Sequence, residues 1–398
     1  MPKLFQINVV SNVLSTGKIC EDIGKVALSN GWESYIAYGR LSRPSVSKEI
    51  TIGSKISVYT HYAMHRFFDR EGLASKHATK RLVACLNEIK PDIIMLHNIH
   101  DHYLNYPILF DYLATVNTPV IWVQHDCWSF TGGCMYFDMI NCSNWKSGCL
   151  KCPERRALFC NISAKQFRLK QNLFKKLQNL TFIPVSNWLS DLLKQSPLGN
   201  RPIKVIHNGT DIQIFRPLQR KYKKTHDFEI LGVAADWIPR KGLFEFFKLR
   251  ERLDSSVGIT LVGLNQKQID TLPEGINGIQ KTTSLSELVQ LYSDSDVFVN
   301  PTFSDNFPTT NIEALACGTP VITYNTGGSP EAVDEQTGIV VEQGNIDELV
   351  KAIHQVRKGI ESGKVFTKEQ CRSRVVSNFN KEHQFSEYLR LFNHYLSI

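Results

Sequence analysis

Short β-branched and aromatic runs alternate with segments of helical period along the whole chain. That alternation constrains the fold more than any single motif, because it is the pattern of βαβ units and parallel sheets. In the first half, residues 4–10, 34–38, 93–96, 120–124, 182–185 and 204–206 read as strands, with helices over 20–29, 76–89 and 188–194. A second series follows, with strands over 228–234, 259–262, 297–300, 321–324 and 338–341 and helices over 242–253, 285–293, 311–316 and 346–358. At 398 residues the chain exceeds one typical core. The two series therefore predict an α/β protein of two Rossmann-like, doubly wound domains facing each other across a cleft. Turn residues and charges around 208–224 separate domain 1–207 from domain 208–379, and the amphipathic tail 380–398 is expected to return to the first across the seam.

Composition narrows the class. The chain is 42% hydrophobic, 10% aromatic and 21% charged, which is globular and neither disordered nor fibrous. It holds no apolar run of bilayer length, and its start reads as a buried strand rather than a signal peptide. A cytoplasmic protein is expected, at most peripheral at the inner face of the membrane. Residues 1–205 carry 25 Lys and Arg against 14 Asp and Glu, a net +11, while the remainder carries 21 against 24, a net −3. The basic half suits either a solvated surface or an anionic membrane. The basic residues are scattered and not interleaved with aromatics, which speaks against nucleic acid.

The chemistry concentrates in residues 300–331. A strand ending at Asn300, a polar loop and a helix starting near Thr310 place helix-start N–H groups beside the loop, a ready anion site. Asp305 in the loop and Glu313 on the helix suit hydroxyls on either side of a diphosphate. Gly318 suits a helix end, and Gly327-Gly328 allow close backbone approach. Turn chemistry accounts for the glycines and Pro320, but not for the acidic pair or Thr309-Thr310-Asn311.

This segment resembles the signature of glycosyltransferase family 4, retaining transferases of the GT-B fold: two glutamates separated by seven residues, followed by A-x-A-C-G-T-P-V. The resemblance assigns Glu313 to the donor ribose and Asp305, here in place of Glu, to the donor sugar. Asn306-Phe307-Pro308 replaces the usual Gly-Phe-Gly, leaving the amides of Phe307, Thr309 and Thr310 for the donor. In AADWIPRKG, Arg240 and Lys241 match the family's paired cations on the diphosphate. Cations fixed where charge builds on a leaving group act mainly on the transition state. Gly263, in LVGLNQ, matches the loop that borders the nucleotide.

In the first half, Gly17 in VSNVLSTGKI matches the family's glycine loop, and His125, after the strand VIWVQ, its histidine beside the reacting sugar. Asn98, with His97 and His100, is expected on the acceptor side. Cys134, Cys142, Cys149 and Cys152 are spaced C-x7-C-x6-C-x2-C, which suits either a structural zinc or reduced cysteines acting as small hydrophobes. The surrounding HDCWSFTGGC resembles an insertion in a branch linked to colanic-acid-type and capsular polysaccharides. The resemblance implies no catalytic metal or other cofactor. It implies a nucleotide-diphosphate sugar as donor and a hydroxyl of a lipid-linked surface-polysaccharide precursor as acceptor. The same fold also serves a sugar-nucleotide 2-epimerase, against which the acidic pair and the A-C-G-T-P run favour transfer, and Asp305 and Pro308 motivate one further alternative, a non-catalytic glycan-binding or scaffold subunit.

Overall fold

The structure is a computed structural model and describes residues 1–150, 152–154, 157–221 and 224–397, so residues 222 and 223 of the expected linker lie outside it. The chain divides into two units: one from Met1 to Ile206 together with the stretch from Phe385 onward, the other from His207 to Gln384.

The first unit is built on strands β1 (Lys3–Asn8), β2 (Glu33–Tyr38), β3 (Lys48–Thr51), β4 (Ile93–Leu96), β5 (Val120–Gln124) and β6 (Leu180–Pro184). They form one parallel sheet in the order β3-β2-β1-β4-β5-β6. The second unit uses β7 (Phe228–Val233), β8 (Val257–Val262), β9 (Ile276–Ile279), β10 (Val297–Asn300), β11 (Val321–Tyr324) and β12 (Gly338–Val341). These run parallel in the order β12-β11-β10-β7-β8-β9. Numbered within its own unit, each sheet reads 3-2-1-4-5-6, the Rossmann order.

Strands covered on both faces by helices read as near-continuous apolar runs. All of β4, β5, β10 and β11 is buried accordingly. The two strands with no counterpart in the sequence reading, β3 (KEIT) and β9 (INGI), are edge strands; β3 is mostly exposed and β9 buries Ile276 alone, so neither carries such a run. The expected strand at 204–206 is not formed. Ile203 makes only an isolated bridge to Phe182, alongside β6, where Pro184 has no N–H to extend a ladder. The first helix, Leu14–Ser29, starts six residues before the expected position, without a capping side chain at Val13 to mark it.

The last helix, Lys381–Leu396, carries the chain back into the first unit. There Phe392 packs on Trp32 at 5.4 Å, Lys204 pairs with Glu387 at 2.9 Å, and the Tyr395 hydroxyl bonds Thr181. In each sheet the chain reverses its winding between two neighbouring strands, β1 and β4 in the first unit and β7 and β10 in the second. The crevice outside the carboxyl ends of such a pair is where α/β proteins bind ligands.

Candidate active site

At the second unit's switch point, the loops after β7 and β10 bring the expected cations and acid together. After β7 the chain forms a short turn of 3₁₀ helix, Pro239–Lys241, closed by Gly242 in the left-handed region. A Cβ at Gly242 would stand 2.1 Å from the carbonyl oxygen of Pro301, so the two loops touch only because this residue is glycine. Backbone bonds fix the contact: Phe303 N–H and the Thr302 hydroxyl both donate to the Arg240 carbonyl, at 2.7 and 3.1 Å. The Arg240 guanidinium donates to the Ser304 carbonyl at 2.8 Å. Lys241 Nζ lies 2.5 Å from Asp305 Oδ2, and Arg240 lies 3.9 Å from the same oxygen. Two cations with side chains about a fifth exposed thus flank one carboxylate at the end of β10.

Gly327 has φ 55° and its Cβ would lie 1.7 Å from the Asp305 carbonyl oxygen, which also accepts from Gly328 N–H at 3.1 Å. The Gly-Gly pair therefore holds the Asp305 loop. Behind it, Asn300 at the end of β10 donates to Asn311 Oδ1 at 2.7 Å, and Asn311 donates to the Ser329 carbonyl at 3.3 Å. This relay pins the start of helix Thr309–Ala316, which carries Thr309, Thr310 and Glu313. Glu313 accepts from the Tyr292 hydroxyl at 3.3 Å. The Phe307 side chain is core, packed between the tilted rings of His207 and Phe379. Gly263 is required by packing, since a Cβ there would stand 1.7 Å from the Ala234 carbonyl oxygen. An Asp-x-Asp pair is present at Asp294 and Asp296, and Asp296 is engaged by Arg220 at 3.1 Å and Lys224 at 2.8 Å.

In the first unit the central strand β1 carries two buried polar residues, Gln6 and Asn8, on one face. Both reach the loop after β4. Asn8 Oδ1 accepts from Asn98 N–H at 3.2 Å, and Gln6 Oε1 lies 3.1 Å from His97 Nε2. Gln6 Nε2 donates to the Cys20 carbonyl at 2.8 Å, which fixes the amide so that His97 must donate from Nε2. Its Nδ1 then carries a lone pair and accepts from Nε2–H of His125 at 3.1 Å, the rings stacked at 5.4 Å. The remaining nitrogen of His125, Nδ1, is thereby an acceptor. Burial lowers His125 to about 4, the Asp126 carboxylate opposing, so the imidazole is neutral at pH 7.

Next to it, His100 bonds Asp126 at 2.8 Å. Burial alone would lower His100, but the carboxylates of Asp126 and Asp101 outweigh it and hold the ring well above its usual value. His97, Asn98, His100, His125 and Asp126 line one small cavity. Gly17 sits in the first turn of helix Leu14–Ser29, where a Cβ would press on Val10 and the Asn12 amide at 3.0 and 3.1 Å.

Sequence reasoning missed Gln6, whose signal is a polar residue inside an otherwise apolar central strand. It also missed the pair of His207 with Glu331 at 2.8 Å. The four spaced cysteines do not bring three ligand atoms within 4.8 Å of one another among the described residues. Cys149 Sγ accepts from Gly132 N–H at 3.0 Å, and burial pushes its thiol up to about 11. Cys152 Sγ stands 3.4 Å from the Glu154 carbonyl.

Known proteins share this fold. The sucrose-phosphate synthase of Thermosynechococcus elongatus superposes with a TM-score of 0.73 at 15% identity, covering 100% of both chains. Anabaena HepE, solved in complex with UDP and glucose, superposes at 0.70 and 15% identity, covering 99% of this chain and 100% of its own. The fold is thus the two-unit α/β architecture of the GT-B enzymes. The family model for glycosyl transferases group 1 matches residues 215–370. The putative colanic acid biosynthesis glycosyl transferase WcaC of Escherichia coli K12 is 24% identical over 368 residues, 87% of this chain and 89% of its own. The capsular polysaccharide biosynthesis glycosyltransferase CapM of Staphylococcus aureus is 27% identical over 205 residues, 48% of this chain and 53% of its own. The second unit thus matches the group 1 glycosyl transferases over residues 215–370, and the chain is similar along most of its length to a named glycosyl transferase.

Proposed function

We propose that the chain is a retaining glycosyltransferase that moves a hexosyl group from a nucleoside-diphosphate sugar to a hydroxyl of a lipid-linked surface-polysaccharide precursor. The observation that carries this reading is the pair Arg240 and Lys241 set against Asp305 at the β7–β10 switch point. A diphosphate bound there meets two cations that need no reorganisation as the leaving group gains charge. In the step, the acceptor oxygen bonds the anomeric carbon on the face from which the phosphate departs. The bond from that carbon to the phosphate oxygen breaks, and the acceptor proton passes to the departing phosphate. Asp305 and the amides of Phe307, Thr309 and Thr310 orient the donor sugar, Glu313 holds the ribose, and neutral His125 accepts from a sugar hydroxyl through Nδ1. Arg240 and Lys241 supply positive charge to the departing phosphate. The names of WcaC and CapM support a polysaccharide acceptor, and the UDP in the HepE structure supports a nucleotide donor.

A membrane-borne acceptor also fits one face of the first unit. Helix Lys55–Phe68 exposes Ile56, Tyr59 and Tyr62 at 78, 73 and 53%, and Phe67 stacks on Phe159, itself 70% exposed. Lys55, Arg66 and Arg70 accompany these residues. Interfacial aromatics beside cations suit an anionic bilayer surface. Among the described residues no helix is long and apolar enough to cross a membrane.

The test is transfer from a panel of UDP-, GDP-, ADP- and TDP-sugars to a polyprenyl-diphosphate-linked glycan, with the product anomer read by NMR. Acceptor-dependent release of one nucleotide with retained configuration is expected. An altered sugar formed without acceptor, or an inverted product, would overturn the reading.

A further inference from the structure

Helix Lys55–Phe68 has a second face that the proposed transfer step leaves unused. His61 and His65, one turn apart, lie on its inner side, with His61 fully buried. His65 Nδ1 stands 2.7 Å from Nε2 of His102, and the two rings stack with centroids 4.9 Å apart. Glu71 is buried beside them, and one ligand atom from each of His65, Glu71 and His102 lies within 4.8 Å of the other two. Glu71 also belongs to a second such trio, with His100 and Asp101.

Among the described residues, two buried imidazole nitrogens in these trios have no hydrogen-bond partner: Nε2 of His65 and Nδ1 of His100, the latter residue 3% exposed. Carboxylate oxygens stand near each, Asp69 at 4.0 Å and Asp101 at 3.6 Å, both beyond hydrogen-bond reach. The loop that delivers His102 holds it and Asp101 at φ 70° and 71°. Non-glycine residues in that region cost on the order of 1–3 kcal/mol each, and such strain clusters at ligand sites.

We propose that His65, His102 and Glu71 form a binding site for a divalent transition-metal ion of the zinc type. Two imidazoles and a carboxylate are a zinc ligand set that leaves a position open. With bonds of about 2.0–2.1 Å in a tetrahedron, ligand atoms sit about 3.3 Å apart. Nδ1 of His65 and Nε2 of His102 therefore part by roughly 0.6 Å from their 2.7 Å contact to admit the ion. The outer nitrogen of His65 then points its proton towards Asp69, the arrangement that orients metal-bound histidines. The trio joins three separate stretches of chain: helix Lys55–Phe68, the turn that follows it, and the loop after β4 that also carries Asn98 and His100. A bound ion would clamp that loop.

Chelator-stripped full-length protein titrated with Co²⁺ tests this. The expected result is one equivalent bound with the visible d–d bands of a nitrogen and oxygen site, and without a thiolate-to-cobalt charge-transfer band. His65→Ala and His102→Asn should each weaken binding at least ~100-fold, beyond what loss of an outer partner usually costs. Asn tolerates the positive φ of His102, so that variant remains informative if His65→Ala fails to fold. Cys149→Ser with Cys152→Ser should bind as the native protein does. Folded native protein that takes up no cobalt would overturn the proposal. So would binding that survives both histidine changes, or a thiolate band lost with the cysteines.

Discussion

Gly327→Ala should separate the fold of the second unit from its chemistry. At φ 55° alanine is permitted at a cost of about 1–2 kcal/mol. The larger effect is steric. The new Cβ would stand 1.7 Å from the Asp305 carbonyl oxygen, and Cβ contacts essentially never fall under 3.0 Å, so the Asp305 loop must retreat by about 1.3 Å. That movement also strains the 3.1 Å bond from Gly328 N–H, which contributes about 1 kcal/mol. Together these reach roughly 2–3 kcal/mol, or about 4–12 °C in the melting temperature of a domain this size. Gly363→Ala is the control. Its φ of 65° carries the same backbone cost, but nothing among the described residues lies within 4 Å of its Cβ. Because Lys241 and Arg240 are set by Asp305, a displacement above 1 Å should lower kcat/KM about 100-fold in Gly327→Ala and leave Gly363→Ala near native. Melting curves and acceptor-dependent nucleotide release measure both quantities. If the two variants melt alike and Gly327→Ala keeps kcat/KM within twofold of native, the assignment of Gly327 as the support of Asp305 is wrong.

Three further outcomes are expected. His125 is held near 4 in the folded protein, against about 6.5 unfolded, so its contribution is fully present above pH 6.5 and is lost as pH falls towards 4. Native protein should lose about 3 kcal/mol more than His125→Gln over that range in denaturant titrations; parallel pH curves would show that the ring is not held neutral. Asn311→Ala leaves the buried Asn300 amide and the Ser329 carbonyl without their partner and should cost about 2 kcal/mol by urea unfolding, a loss under 0.5 kcal/mol contradicting the relay. Changing Tyr59, Tyr62 and Phe67 to Ser should abolish sedimentation with phosphatidylglycerol vesicles while binding of free nucleotide is kept, and unchanged sedimentation would remove the proposed membrane face.

The sequence was most legible where physics is local. Strands β4, β5, β10 and β11 were read at their observed limits because strands buried on both faces demand unbroken apolar runs, and the edge strand β12 from its short run Ile339–Val341. The edge strands β3, mostly exposed, and β9, which buries Ile276 alone, carry no such signature and were missed. Arg240, Lys241 and Asp305 were each legible from motifs, and their contact at one switch point follows from parallel strands ending side by side. The tautomer of His125 was not legible, since it depends on Gln6, more than a hundred residues away, through His97. Nor was the contact of His65 with His102, 37 residues apart, because no regular spacing joins a helix face to a distant loop.

The account rests most on the donor site at the end of β7 and β10. Its most direct test is calorimetric titration of UDP, GDP, ADP and TDP into the native protein and into the Arg240→Ala, Lys241→Ala double variant. The account predicts that one diphosphate binds the native protein, and that the folded double variant binds it at least ~100-fold more weakly, with two charge-assisted contacts removed. Equal affinity in the two proteins would place the nucleotide elsewhere and contradict the central claim.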